Sequence, residues 1–419
     1  MSGPLRAYGA VTAAYWGFML TDGALRMLVL LHFNGLGFSA LTLAWLFLLY
    51  EIAGVVTNLA AGWIAARFGL ASTLYGGLAL QILALGALAQ LDPAWGLGAS
   101  VVFVMVVQGL SGVAKDLAKM SAKSAVKLLA PAAEGALFRL VAALTGSKNA
   151  VKGLGFFLGA ALLGLIGFRP ALWVMAAGLA LILGAIVAFL PPGLPAGKKG
   201  AKVSAIFSRD ARVNGLSLAR FFLFGARDTW FVVGIPVYFS ALFDDGTPEG
   251  GRAAFFLVGG FMALWIIGYG AVQAFAPRLL GAARRSEADL EAAARHWTGA
   301  LVPIPLALAL AVALAPAPAP WLTATLITGL LLFGAVFAVN SSLHSYLILA
   351  FAGAERVSLD VGFYYMANAA GRLAGTALSG LSYQLGGLPA CLATAGAMAA
   401  ASWLAARRLD RLPRPAGAQ

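Results

Sequence analysis

The sequence predicts an all-α membrane protein of twelve transmembrane helices, arranged as two pseudo-symmetric six-helix halves. Three observations predict it. The chain is 61% hydrophobic and 11% charged, whereas a soluble domain carries about 25% charged residues. Apolar runs of about eighteen residues or more, the length a helix needs to cross a bilayer, recur from one end to the other. Lys and Arg collect in alternate connections, and a basic joint rich in Pro and Gly divides the chain near its middle.

The spans fall at roughly 8–33, 40–62, 70–91, 95–118, 137–166, 170–190, 213–242, 253–278, 297–315, 321–346, 357–384 and 387–405. The first does not read as a cleaved signal peptide. It is too long, has no Ala-x-Ala-like end, and contains Asp22 and Arg26. The connections at 34–39, 92–94 and 316–320 carry no Lys or Arg. Those on the other side carry Arg67, Lys123, Lys127, Lys198, Lys199, Lys202, Arg209, Arg212, Arg278, Arg284, Arg285, Arg295 and Arg356, then Arg407, Arg408, Arg411 and Arg414 in the tail. Cytoplasmic loops collect such residues, so both termini are expected in the cytoplasm of a cell whose inner membrane holds the chain. The formal charge of +13 then reflects topology rather than nucleic-acid binding. The stretch PPGLPAGKKGAKVSAIFSRDAR joins an N-terminal six-helix bundle, 1–190, through a cytoplasmic basic linker, 191–212, to a C-terminal bundle, 213–419.

The halves show a weak repeat. A shift of 202 sets Gly23-Ala24 on Gly225-Ala226, and a shift of 225 sets Lys115 on Asn340 and Lys119 on His344. A shift of 220 sets Lys148 on Asn368, Lys152 on Arg372 and Gly155 on Gly375. Parallel six-helix repeats about an axis along the membrane normal are the arrangement of major facilitator superfamily transporters. The stretch GWIAARFG, Gly62 to Gly69, resembles that superfamily's loop signature between spans two and three. Ala66 stands where the signature has an acid, so the gating ion pair assigned to that acid is not expected here.

The charges within the spans point to chemistry. Arg26, Lys115, Lys119, Lys148, Lys152, Arg220, Arg227 and Arg372 lie at depth. The acids there are Asp22, Glu51, Asp116 and Asp228, with Asp360 at the margin. A lone charge at a helix centre costs about 2.5–3.5 kcal/mol on insertion scales, so these groups must be paired or line a wet cavity. The acids cannot pair every cation, which leaves a net positive cavity suited to an anion. Arg offers a planar fork to phosphate or carboxylate, and Lys a point charge. The expected substrate-binding residues are Arg26, Lys115, Lys119, Lys148, Lys152, Arg227 and Arg372, with Asn149, Asn340 and Asn368. Asp22, Glu51, Asp116 and Asp228 are the expected coupling acids.

Each has a plainer alternative. Asp22 and Arg26 share a face at i, i+4 and could pair with each other. Arg227 and Asp228 point about 100° apart, which makes them poor partners and leaves Arg227 for a ligand. Lys123 and Lys127 continue the row from Lys115 but read as snorkelling to headgroups. His344 reads as a hydrogen-bonded filler, and Gly153, Gly155 and Gly159 as sites of close helix packing.

No cofactor or metal is expected, and the chain is not expected to be an enzyme. The single cysteine, Cys391, excludes an intrachain disulfide and any site built from several thiolates, including one for trivalent arsenic. There is no Walker loop, HExxH or GxSxG in a strand-turn-helix context.

Several stretches go beyond the superfamily: YWGFMLTDGALRMLVLLHF, LYEIAGVVTNLAAGWIAARFGL, GVAKDLAKMSAKSAVKLL, LTGSKNAVKGLGFFLGA and ARFFLFGARDTWFVVGIPVY. Together they resemble ArsJ, a family of organoarsenical efflux permeases. That resemblance implies export of 1-arseno-3-phosphoglycerate and arsenate resistance. It also implies a functional partnership with a glyceraldehyde-3-phosphate dehydrogenase that makes this compound from arsenate. The site residues rest on the charge argument alone. Transport of ordinary organophosphates or other organic anions, by antiport or otherwise, is the alternative. An anion channel and a lipid-headgroup enzyme are the readings from other classes.

Overall fold

The computed structural model describes residues 3–129, 136–189, 208, 210–281, 286–351 and 357–409. All twelve predicted spans are helical there. Spans one to six are Gly3–Gly35, Ala40–Phe68, Leu70–Leu88, Leu97–Leu129, Ala136–Ile166 and Phe168–Phe189. Span four runs further than expected, so Lys115 and Lys119 sit well inside a continuous helix. Gly69, at φ 80°, makes the turn between spans two and three, a backbone shape that side chains with a Cβ rarely take. Most of the expected 191–212 linker lies outside the described residues. So do Arg209, Arg284, Arg285, Arg356, Arg411 and Arg414, and the side chains of Ala66, Arg67, Lys123 and Lys127.

Span seven is built in three pieces. An α-helix, Ala211–Thr229, runs through a π-helical turn, Trp230–Gly234, into a second helix, Ile235–Phe243. A π-turn releases backbone groups from their usual partners, and inside a membrane these must be met by protein. Ser379 of span eleven meets them: the N–H groups of Val233 and Gly234 both donate to its Oγ, at 3.1 and 3.2 Å. The Cys391 thiol donates to the carbonyl of Thr229 at 2.8 Å. Among the described residues ten helices are long and apolar enough to cross a membrane. Span seven is not among them, because Arg212, Arg220, Arg227 and Asp228 crowd its first piece, and the last two spans count as one helix.

Span eight is Pro248–Leu279. Span nine is broken between Glu287–Leu301 and Pro303–Leu314, where Pro303 and Pro305 remove N–H donors. Span ten is Pro320–Phe351. Spans eleven and twelve share the run Val357–Arg408, interrupted at Gly386 and Gly387, and Gly387 has φ 63°. Large apolar side chains such as Phe189, Leu181 and Leu385 are 76–81% exposed, as lipid-facing helices require.

Within the first half, span one packs on five, two on four, and three on four and six. Within the second, seven packs on eleven, and ten on eight and nine. The halves meet where span two lies along eleven and five along eight. At the end away from the termini, one apolar core joins both halves and includes Phe33, Phe47, Phe239 and Trp265. At the terminal end the described residues form separate cores, around Tyr15 and Leu74 in one half and Leu347 and Tyr364 in the other. The space between the halves is thus sealed at one end.

Arg212 closes the terminal end of the second half. Its guanidinium donates to Glu287 at 2.9 Å and Glu291 at 3.1 Å and lies over Phe351, 3.7 Å from the ring centroid. Glu291 is 2% exposed. Arg212→Ala would leave that carboxylate buried without a counter-charge, a loss of about 3–5 kcal/mol. It is expected to lower the thermal unfolding midpoint in detergent by several degrees. An unchanged midpoint would show that the cluster does not hold spans seven and nine together.

Candidate functional site

Small residues bring the charges together. A Cβ on Gly23 would stand 2.5 Å from the Lys152 carbonyl oxygen, and one on Gly155 would overlap the carbonyl of Leu20. Spans one and five therefore touch backbone to backbone. The second half repeats the device: Gly371 lies against the Phe221 carbonyl, and Gly375 against that of Gly225. The first contact sets Asp22 opposite Lys152, and the second sets Asp228 opposite Arg372. The sequence reading of Gly155 and Gly159 as packing sites on span one agrees with this geometry, while Gly153 packs across the halves on Ala263 and Ile267.

A chain of ion pairs runs through the middle of the molecule. Arg26 donates to Glu51 Oε1 at 3.1 Å, and Arg372 donates to the same oxygen at 2.6 Å. Arg372 Nε reaches Asp228 Oδ2 at 3.1 Å, and Arg227 Nε reaches Asp228 Oδ1 at 2.5 Å. Glu51 is on span two and Arg372 on span eleven, so this chain crosses between the halves. Two further clusters belong to the first half. Lys152 pairs with Asp22 at 2.7 Å, and the Tyr50 hydroxyl donates to the other oxygen of Asp22 at 2.5 Å. Lys119 pairs with Asp116 and also donates to Asn58 at 2.7 Å. Lys115 lies over the Tyr50 ring, 4.0 Å from its centroid.

These groups surround a cavity of about 220 Å³ between the halves. It is smaller than the roughly 300–1,000 Å³ of drug-sized pockets, which favours a small solute. All eight deep cations line it, with Glu51, Asp116 and Asp228. Asp22 sits behind the wall, 2% exposed. Counted over these described residues, eight cations and four carboxylates give a net formal charge of four positive. Among the described residues Arg26 Nη2 is buried without a hydrogen-bond partner. A larger groove, about 620 Å³ between spans nine and ten, is lined by side chains such as Ile304, Leu308 and Leu332 and by no charged group. It offers nothing to a polar solute.

The cavity gathers Arg26, Lys115, Lys119, Lys148, Lys152, Arg227, Arg372, Asn149 and Asn368 of the expected binding residues. Asn340 is not among them. It is fully buried, and its amide donates to Thr298 of span nine at 2.6 Å. Its face of span ten turns into the second half rather than toward the cavity. Arg227 and Asp228, expected to be poor partners, are paired, because the long Arg side chain folds back along the helix and spans the angular offset. Arg26 chooses Glu51 over Asp22, whose two oxygens are held by Lys152 and Tyr50. His344 is buried, but among the described residues neither ring nitrogen has a hydrogen-bond partner, which does not match the hydrogen-bonded filler expected. The sequence reading did not place Tyr50 or Arg220 at the site. Arg220 was visible as a deep charge, whereas the role of Tyr50 depends on a contact between spans one and two.

The sequence pattern of the Major Facilitator Superfamily matches residues 8–376. No curated protein sequence matches the chain. Solved structures of similar fold include a mutant of the nucleoside transporter NupG, with TM-score 0.72 and 15% identity over 99% of this chain and all of that one. A POT family transporter in complex with 5-aminolevulinic acid has TM-score 0.72 and 15% identity over 98% and 97% of the two chains. The human organic anion transporter MFSD10 (TETRAN) has TM-score 0.65 and 16% identity over 97% and 100%. At such identities the likeness is one of fold.

Proposed function

The chain belongs to the Major Facilitator Superfamily, whose members are secondary transporters, and we propose that its cargo is a small organic polyanion, 1-arseno-3-phosphoglycerate, moved outward by alternating access. The observation that carries this reading is the cavity between the halves, where eight cations face four carboxylates. A cargo with phosphate and arsenate groups supplies the negative charge the protein lacks, and it needs guanidinium forks rather than thiols. The apolar core that joins the halves at the end away from the termini supports a carrier over an open channel. With the end that bears the termini in the cytoplasm of the inner membrane, the cavity is loaded from inside. The choice of an arsenical over another organophosphate rests on the resemblance of the sequence to ArsJ. The same resemblance supports a partner dehydrogenase that makes the cargo.

The test is uptake into everted membrane vesicles of 1-arseno-3-phosphoglycerate, generated by glyceraldehyde-3-phosphate dehydrogenase from arsenate and glyceraldehyde 3-phosphate. Arsenic is expected to accumulate in vesicles that contain the chain and not in control vesicles. Accumulation of phosphoglycerates without arsenic would replace the arsenical reading by the general organophosphate one. No accumulation of either would end the polyanion reading.

A further inference from the structure

Arg220 is the one arginine of the cavity lining that the ion-pair chain leaves out. It is 4% exposed, and among the described residues no carboxylate pairs with it. Its Nη1 donates to the carbonyl and the hydroxyl of Ser341, both at 3.1 Å, while its Nε is buried with no hydrogen-bond partner among the described residues. An uncompensated guanidinium this deep is costly, and Ser341 supplies only neutral acceptors. The side chain nevertheless lines the central cavity. The fixed groups around it therefore prepare a place for negative charge without providing any.

Its position relative to the other cations gives the shape of what would fit. Arg220 and Arg227 lie seven residues apart on span seven, two turns along one face. Their guanidinium carbons stand 4.1 and 4.7 Å from the centroid of the Phe224 ring. They are therefore no further apart than about 9 Å. Arg227 is already tied to Asp228, and through it to Arg372 and Glu51. Arg220 shares none of these partners. The cavity thus has two sets of fork donors that share one aromatic ring, one set partly neutralised and one not.

We propose that Arg220 forms a second anion subsite, which holds the far charged group of a cargo with two anionic groups about 5–7 Å apart while the Arg26–Arg227–Arg372 cluster holds the near one. Four bonds separate the phosphorus of a phosphoglyceryl unit from its carboxyl carbon, and six separate it from a further centre esterified there. At about 1.2 Å of advance per bond along an extended zigzag, these spacings are about 5 and 7 Å, within the ceiling of about 9 Å on the separation of the two guanidinium carbons. Ser341 positions the fork. The inference rests on the polyanion reading and adds a selectivity to it: a two-ended anion is preferred over a one-ended anion of the same phosphate chemistry.

The experiment is equilibrium binding to the purified full-length chain, with 3-phosphoglycerate as the two-ended probe and glycerol 3-phosphate as the one-ended probe. The wild-type chain is expected to prefer 3-phosphoglycerate by about ten-fold or more, the value of one hydrogen-bonded charge contact. In Arg220→Gln that ratio is expected to fall toward one. In Arg220→Lys, which keeps the charge without the fork, it is expected to fall partway, and this variant carries the test if the glutamine chain does not fold. Arg372→Gln, by contrast, should weaken both probes. A wild-type ratio near one, or an undiminished ratio in folded Arg220 variants, overturns the subsite while leaving the polyanion reading intact. Binding of neither probe by the wild-type chain overturns both.

Discussion

Arg372→Ala is expected to reduce transport in everted vesicles by about 100-fold or more while the protein remains folded in the membrane. Arg372 touches Glu51 of the first half and Asp228 of the second, at 2.6 and 3.1 Å. It also lines the cavity, so an anion that enters can draw on the donors left free. Each charge-assisted hydrogen bond is worth about 1.5–3 kcal/mol, and loss of two corresponds to at least a hundred-fold in affinity. The folded state is less affected, because Glu51 keeps Arg26 and Asp228 keeps Arg227. Arg372→Lys retains the charge but cannot reach both carboxylates, and an intermediate rate is expected. A normal rate for Arg372→Ala, with the thermal midpoint of the purified protein unchanged, would remove Arg372 from the transport pathway.

Gly371→Ala is expected to have the largest effect on the fold. A Cβ at this position would overlap the carbonyl oxygen of Phe221 and lie 2.8 Å from its carbonyl carbon and Cα. Backbone cannot swing aside as a side chain can, so spans seven and eleven must separate. Overpacking of this kind costs about 1–3 kcal/mol. It also moves Arg372, the next residue, away from Asp228. The unfolding midpoint and transport should therefore fall together. Gly362→Ala is the control on the same span, since a Cβ there meets nothing within 4 Å. If the two variants unfold at the same temperature, close helix contact at Gly371 is not what holds the half together.

Hydropathy made the twelve spans legible, because a bilayer imposes length and apolarity on every helix that crosses it. Span seven is the instructive case. Its Arg and Asp residues lower its hydropathy, yet the apolar run from Trp230 to Phe243 still marks it. The π-turn at Trp230–Gly234 left no trace in the sequence, since it depends on Ser379 from another span. The membership of the cavity was largely legible too, for charges at depth have few places to go. Their partners were not. Arg372 and Glu51 stand 321 residues apart, and nothing local links them. The pairing of Arg227 with Asp228 is hidden in the sequence because the length of the Arg side chain, not the backbone angle, sets its reach. Asn340 was drawn into the site by its alignment with Lys115 at a shift of 225, but the likeness between the halves does not extend to the face that Asn340 presents.

The carboxylate of Glu51, grasped by arginines from both halves, has a consequence for energetics. On the proposed reading an unloaded carrier brings its own substitute for the passenger and is expected to return across the membrane without a companion. One full cycle then shifts only the passenger's charge. In a cell whose interior is negative, each negative charge sent outward gains about 2.3 kcal/mol per 100 mV. On the proposed reading voltage then contributes to expulsion, and the cycle is expected to register as an electrical current.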